Sequence, residues 1–324
     1  MKTFHWVKVL LVAFVVVFIS SCDSKSKLEK TIGSIPVDLN IVRFDTIFAH
    51  AEISGLPQLK KEFPFFFPES YADSIWEMKL GDTLQAQLEE EVMKVFPNND
   101  KLEVPLVSLF QHIQYYVPKI QVPRVYTTTS DVDYRNSVFA NDTLLILALD
   151  NYLGSDHFFY EGISKYISKE MKPSQLMPNV ASVYARHLIV PSTERTFLAQ
   201  MIYYGKELYL KDLWLPEVSD SEKIGYTEAE IAWAEANETE IWRYFVENEL
   251  LFSTDPKLSQ RFILPAPFSK FNLEIDNESP GMIGKWVGWQ IVRSYMKERP
   301  VSINQLLQKQ PSDIFQNSKY KPKK

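Results

Sequence analysis

The spacing of the apolar residues changes near residue 157 of this 324-residue chain. Before that point, the run TLLILALD at residues 143–150 is continuous and of strand length, which is typical of a central strand buried on both faces. Beyond it the apolar residues recur at helical spacing, which predicts helices at 158–170, 176–189, 194–210, 228–236, 239–250, 282–297 and 301–309. The division predicts an α+β fold that is mostly helical, in which a small N-terminal antiparallel or mixed sheet is followed by a helical region.

Weaker signals in the first half add two strands and two helices. Alternating apolar residues predict an edge or near-edge antiparallel strand within residues 37–48. A second strand is expected at 119–129, near an edge of the sheet because Pro123 interrupts it. Asp82 is a suitable N-cap for one helix, and the apolar spacing predicts another at about 104–116.

The amino terminus has the pattern of a secretion signal. Val9–Ile19 are eleven consecutive apolar residues, too few to cross a hydrocarbon core of about 30 Å as a helix. Ile19-Ser20-Ser21 then precede the only cysteine of the chain, Cys22, and this arrangement resembles a bacterial lipobox. We therefore expect a lipoprotein signal peptide at 1–21, an acylated Cys22 that binds the membrane, and a flexible leash at 22–35. The alternative is an ordinary signal peptide with a chance cysteine.

The net negative charge of the chain argues against nucleic acid as a partner and favours attachment to the membrane through acyl chains. Removal of residues 1–21 takes away two of the 35 basic residues and none of the 41 acidic ones, which changes the net charge from −6 to −8. An acidic body is a poor ligand for nucleic acid or anionic lipid, so attachment depends on the acyl chains. The expected arrangement is a single α+β domain at 36–316 with a disordered basic tail at 317–324. The cell envelope is the expected location, with the body in the periplasm and either membrane as the anchor.

The sequence lacks the common motifs of catalysis. It contains no H-E-x-x-H, no G-x-S-x-G and no P-loop, so we expect neither a metal nor another cofactor. His157 and Glu161 are four residues apart and could share a metal with His187 or Glu194. The alternative for His157 is a packing or capping role.

Glycines inside two helical segments predict close contact between helices. Gly205 lies in the middle of the segment 196–216, where a glycine destabilises a helix by about 1 kcal/mol relative to alanine. Gly284 and Gly288 are four residues apart in the segment 279–300 and share one helical face. The expected groove or packing site consists of Tyr204, Gly205, Lys206, Tyr209, Gly284, Trp286 and Gly288.

Three of these segments, together with the lipobox, resemble the gliding-motility lipoprotein GldB family of Bacteroidetes. They are DTLLILALDNYLGSDHFFYEGISKYI (142–167), MIYYGKELYLKDLWLP (201–216) and GMIGKWVGWQIVRSYM (281–296). The resemblance covers essentially the whole chain. It implies a lipoprotein that surface gliding requires, with partners among the envelope proteins of the gliding and secretion machinery.

The middle and late segments are also distantly similar to zincin-type peptidase-like proteins. In those proteins one helix carries H-E-x-x-H and a later helix carries a Glu-Gly pair. The equivalent segments here are 177–187, which lacks the motif, and Tyr204-Gly205, which lacks the glutamate. The resemblance therefore implies a degenerate zincin-like scaffold that has lost its metal.

Three hypotheses on function follow from these features. The first is a lipid-anchored, non-catalytic envelope protein that is required for gliding and acts through partners. The second is an envelope hydrolase with an unorthodox site around His157, Glu161 and His187. The third is a structural module without a specific groove, which predicts no cluster of exposed aromatic residues near Gly205 or Gly288.

Overall fold

The computed structural model describes residues 27–274 and 276–323, so the expected signal peptide and Cys22 lie outside the described residues. Four short strands form one mixed sheet in the order β1-β2-β4-β3. They are β1 (Ile41–Arg43), β2 (Arg124–Thr128), β3 (Val138–Ala140) and β4 (Leu144–Ala148). β2 pairs in parallel with both β1 and β4, whereas β3 and β4 form an antiparallel hairpin.

The two weaker strand predictions need correction. Of the expected antiparallel strand at 37–48, only Ile41–Arg43 is a strand, and it is a parallel edge strand. The chain then turns into a helix that buries both Phe44 and Phe48, four residues apart. The strand expected at 119–129 is shorter, Arg124–Thr128, and it lies inside the sheet beside the edge strand β1. Pro123 directly precedes the strand, where its missing N–H interrupts no strand pairing.

Five helices lie in the first half of the chain among the residues that the structure describes from Ile41 onward. They are α1 (Phe44–Ala49), α2 (Leu56–Glu62), α3 (Asp73–Leu80), α4 (Thr83–Val95) and α5 (Asp100–Tyr116). The predicted cap of α4 is confirmed, since the Asp82 carboxylate accepts a hydrogen bond of 2.8 Å from the backbone N–H of Leu84. α5 begins four residues before the predicted helix at 104–116.

The second half is helical, as expected. Its helices are α6 (Lys165–Ser168), α7 (Leu176–Leu188), α8 (Phe197–Trp214), α9 (Asp220–Ile224), α10 (Glu228–Ala236), α11 (Glu238–Glu247), α12 (Lys257–Phe262), α13 (Ile283–Glu298), α14 (Ile303–Gln308) and α15 (Pro311–Ser318). The predicted helix at 158–170 is wrong. Gly162 there adopts a positive φ of 87°, which no α-helix accommodates. The segment contains a short 3-10 helix, Phe158–Tyr160, and only the four residues of α6 are α-helical.

The sheet separates two of the three apolar clusters. Alternate residues of a strand face opposite sides, and Val125 of β2 belongs to the main cluster under α5 and α7, whereas Tyr126 belongs to an aromatic cluster on the other side. Phe63 meets Tyr126 edge to face in that second cluster. A third cluster surrounds α8 and α13 in the helical half. The two helices therefore join the sheet region to the C-terminal helices.

Both ends of the described chain are packed against the body. Residues 27–33 are helical, Ile32 is only 1% exposed, and Gln111 donates hydrogen bonds to the carbonyls of Gly33 and Ile35. The expected flexible leash at 22–35 is thus a fixed segment from residue 27 onward. In the expected disordered tail at 317–324, the Tyr320 hydroxyl donates a hydrogen bond of 2.7 Å to Glu238. Within residues 27–274 and 276–323, no helix combines the length and apolar composition needed to cross a bilayer.

Candidate functional site

The glycines of α8 and α13 lie where the two helices contact each other. A Cβ added at Gly205 would lie 2.9 Å from the backbone nitrogen of Trp289 and would overlap the Gly288 carbonyl. A Cβ at Gly288 would overlap the carbonyl of Met201. A Cβ at Gly284 would lie 2.9 Å from the Phe262 carbonyl oxygen. The contact of α8 with α13 at Gly205 and Gly288 is therefore made by backbone against backbone, which only glycine permits, whereas Gly284 faces α12.

The remaining members of the expected groove or packing site separate into different surroundings. Trp286 is 2% exposed and packs in the cluster around α13. The Lys206 ammonium donates hydrogen bonds to the carbonyls of Leu307 and Lys309, at 3.1 and 2.7 Å. Tyr209 is half-buried and contacts both large clusters. Tyr204 alone among them lines a cavity.

This cavity has a volume of about 640 Å³ and is bordered by α7, α8 and α13. The polar side chains that the three helices contribute are Asn179, Ser182 and Arg186 from α7, Tyr204, Glu207 and Lys211 from α8, and Lys285 from α13. Asn151 and Tyr152, which follow β4, and Glu170, which follows α6, line it as well. The close contact of α8 with α13 fixes two of its walls.

An ion pair crosses from α7 to α8 beside the cavity. The Arg186 Nε lies 3.2 Å from Oε2 of Glu207, whose side chain is buried. Burial by itself would raise the pKa of the Glu207 carboxyl, but Lys211 and Arg186 hold it below its ordinary value. Glu207 is therefore a paired carboxylate at neutral pH.

Lys211 lies on the same helix, one turn after Glu207. Its side chain is buried and donates a hydrogen bond of 2.7 Å to the carbonyl of Lys223. Burial lowers the pKa of Lys211 to about 8, because removal from water disfavours the charged form. The cavity wall therefore includes a lysine whose ammonium group loses its proton only slightly above neutral pH.

Two half-buried charged side chains of the cavity, Lys285 and Glu170, have neither an ion pair nor a side-chain hydrogen bond among the described residues. The Lys285 ammonium lies 4.5 Å from the centroid of the Tyr204 ring, and no acidic oxygen of residues 27–274 or 276–323 comes within 4.0 Å of it. The Glu170 carboxyl packs against Gly225. Burial raises the pKa of Glu170 and lowers the pKa of Lys285. These two groups face the cavity without a fixed partner.

The lowered pKa of Lys211 predicts a dependence of stability on pH. The unfolded chain holds this proton up to about pH 10.5 and the native chain up to about pH 8. Above pH 8 the unfolded state therefore binds more protons, and the contribution of Lys211 to the free energy of unfolding rises with pH, by at most about 1.4 kcal/mol per unit. We expect wild type to gain stability relative to Lys211→Met between pH 8 and 10 in urea titrations. A difference between the two proteins that stays constant from pH 7 to 10 would contradict the assignment.

The structure does not bring the expected hydrolase residues together. His157 lies 3.2 Å from Glu91 of α4, stacks on Phe159 and accepts a hydrogen bond from its backbone N–H. Glu161 and His187 are exposed. In the described part of the chain, no group of three His, Cys, Asp or Glu side chains is arranged to hold a metal ion. The contacts of His157 are those of the capping and packing alternative.

Sequence reasoning missed most of the cavity wall. Asn179, Ser182 and Arg186 are three and four residues apart, which places them on one face of α7. Glu207 and Lys211 share a face of α8 in the same way. Polar residues at this spacing within otherwise apolar helices could have predicted a polar cavity wall. A solvent-exposed helix face gives the same pattern, so the sequence alone does not distinguish the two.

The chain also matches a known protein family. A family model described as gliding motility protein GldB matches residues 25–322. The chain belongs to the GldB family. Membership implies involvement in gliding motility, and the match includes every element that borders the cavity. No curated protein and no solved structure matches the chain. These comparisons therefore do not show the similarity to zincin-type proteins, which stays a prediction from the sequence.

Proposed function

We propose that this GldB-family chain is a lipid-anchored, non-catalytic envelope protein that supports gliding by binding a ligand or partner in the charged cavity. The observation that carries the proposal is the pair of ionisable groups, Lys285 and Glu170, that line the cavity without ion pairs among the described residues. Charges shielded from water are normally paired, and the attraction between these two half-buried groups is not a contact within 4.0 Å, so a bound molecule can bring a partner to each of them. The cavity itself counts against a module without any groove, although the aromatic residues near Gly205, such as Tyr204, are half-buried and do not form a cluster of exposed aromatic residues.

The charge of the lining favours binding over metal-dependent hydrolysis. Five basic side chains and two acidic ones line the cavity, namely Arg135, Arg186, Lys211, Lys223 and Lys285 with Glu170 and Glu207. A surplus of cations repels a divalent metal. Glu207, the acidic residue of α8 in this lining, is already paired with Arg186. The surroundings therefore suit an anion better than a zinc ion.

A hydrolase that works without a metal is the second candidate, because Glu170 has a property that general bases share. Burial raises the pKa of its carboxyl, so its ionised form is a stronger base than an ordinary glutamate. If the chain acts as a hydrolase through this group, Glu170→Gln should abolish both gliding and peptide hydrolysis by the purified protein. The non-catalytic proposal expects no measurable hydrolysis by wild type to begin with.

Acylation of Cys22 is the part of the proposal that rests on sequence alone. We expect Cys22→Ala to leave an uncleaved precursor that incorporates no labelled fatty acid, because the thiol is the acceptor of the first acyl chain. Labelling of cells with radioactive palmitate, followed by capture of the protein, measures this. Ser24→Ala, outside the three residues before the cysteine, is the control and should keep the label. Incorporation of label by Cys22→Ala would contradict the lipid anchor.

An anchor at Cys22 would hold the body close to the bilayer. Residues 22–27 can extend over at most about 17 Å, and the segment from residue 27 is already packed on α5 through Ile32 and its neighbours. The proposed anchor is therefore short, and the cavity works within a few nanometres of the membrane surface.

A further inference from the structure

The net charge of the cavity is positive although the whole chain is acidic. Lys223 is neutralised by Asp212, at 3.2 Å, and Arg186 by Glu207, also at 3.2 Å. After these pairs are set aside, the lining retains Arg135, Lys211 and Lys285 against the single carboxyl of Glu170. A local surplus of positive charge attracts and holds an anion.

Lys285 is the group that is best placed to receive this anion. It lies in the first turn of α13, where the helix dipole adds to its positive potential. The neighbouring Gly284 is packed against the backbone of Phe262, so the base of the side chain is fixed. The ammonium contacts the face of Tyr204 and has no hydrogen-bond acceptor among the described residues. A rigidly mounted, partly buried cation without an acceptor requires one from a ligand or from water.

An acidic group of the same lining requires a hydrogen-bond donor. Asn151 is 2% exposed and its amide nitrogen donates to the Ser130 hydroxyl at 3.0 Å. Its Oδ1 has no partner among the described residues but is shielded from water, so a molecule in the cavity does not reach it. Glu170 likewise accepts no hydrogen bond from them. A bound molecule that carries only an anionic group would leave the Glu170 carboxyl unsatisfied.

We propose that the cavity binds a small organic anion that also carries N–H or O–H donors. Its carboxylate or phosphate pairs with Lys285 and Lys211, and its donors reach the half-buried Glu170. The volume of about 640 Å³ is that of a site for a small molecule. This assignment rests on the proposed function, because it names the ligand class of the same cavity.

Calorimetric titration of the full-length lipoprotein in detergent tests the ligand class. Gluconate and glucose 6-phosphate present the same kind of hydroxyl donors with a carboxylate or a phosphate, glutamate presents a carboxylate with an ammonium donor, and glucose is the uncharged control. We expect at least one of the three anions to bind and glucose not to bind. Binding of gluconate or glutamate would identify the ligand as a carboxylate, and binding of glucose 6-phosphate would identify it as a phosphate.

Two variants assign the binding to Lys285. Lys285→Met should weaken the anion at least tenfold and should fold as well as wild type, because it removes an unpaired cation. Lys257→Met, at an exposed position of α12, should leave the affinity unchanged. Absence of binding by all three anions, or equal affinity of Lys285→Met and wild type, would overturn the ligand assignment. Neither result alters the proposed role in gliding, which the motility of the same variant tests separately.

Discussion

Gly288→Ala is expected to lower the free energy of unfolding by about 3 kcal/mol, because a single added methyl group overlaps the carbonyl of Met201. The overlapping atoms belong to the backbone of α8, so no side-chain rotation relieves the contact. α8 and α13 would have to separate, which would also open the cavity that they border. Urea denaturation followed by circular dichroism measures the effect.

Gly81→Ala is the matched control for this substitution. A Cβ at Gly81 would meet its nearest atoms at 3.8 Å, an ordinary van der Waals distance. We therefore expect Gly81→Ala to change the stability by less than about 1 kcal/mol. Equal stability of the two alanine variants would contradict the close contact. A Gly288→Ala protein that is fully stable but does not support gliding would indicate a binding surface at this position.

Arg293→Met is expected to destabilise the fold by about 3 kcal/mol, through loss of a charge network between α8, α9 and α13. Arg293 makes hydrogen bonds of 2.6 and 2.7 Å with Asp212 and of 2.6 and 2.9 Å with Asp220. Its guanidinium also lies 3.7 Å from the centroid of the Trp289 ring. Methionine retains the volume but leaves two partly buried carboxylates with Lys223 as their remaining basic partner.

The exposed pair of Arg243 with Glu240 supplies the comparison. Both side chains are more than half exposed, and such pairs contribute at most about 1 kcal/mol. Arg243→Met should therefore have a small effect in the same urea titration. If both arginine variants unfold at the same urea concentration as wild type, the network around Arg293 does not hold the three helices together.

The sequence predicted correctly those helices and strands whose bounds are set by residues close to them in the chain. α10 has the predicted bounds because Thr227 and Glu230 form a complete capping box at its start. The predicted helix at 158–170 was wrong because distant contacts fix that segment. The Tyr160 hydroxyl donates a hydrogen bond to the carbonyl of Asp150, and Gly162 adopts a positive φ. The partner of β1 is more than 80 residues away in sequence, so its parallel direction could not be read from local alternation.

The residues of the candidate site were likewise predictable only in part. Gly205 and Gly288 attract attention in the sequence because glycine is unfavourable within a helix, and the structure places them in contact. Arg186, Lys211 and Lys285 belong to three helices, and charged residues in helices usually face solvent. Only the packing of α7, α8 and α13 directs them towards one cavity.

Colony spreading of a strain that carries Lys285→Met in place of the native chain is the most direct test of a binding role in gliding. We expect the variant to be acylated and folded at wild-type levels but not to support spreading, and we expect Lys257→Met to spread normally. Normal spreading with Lys285→Met, at a protein level equal to wild type, would contradict the assignment of the cavity as the functional site.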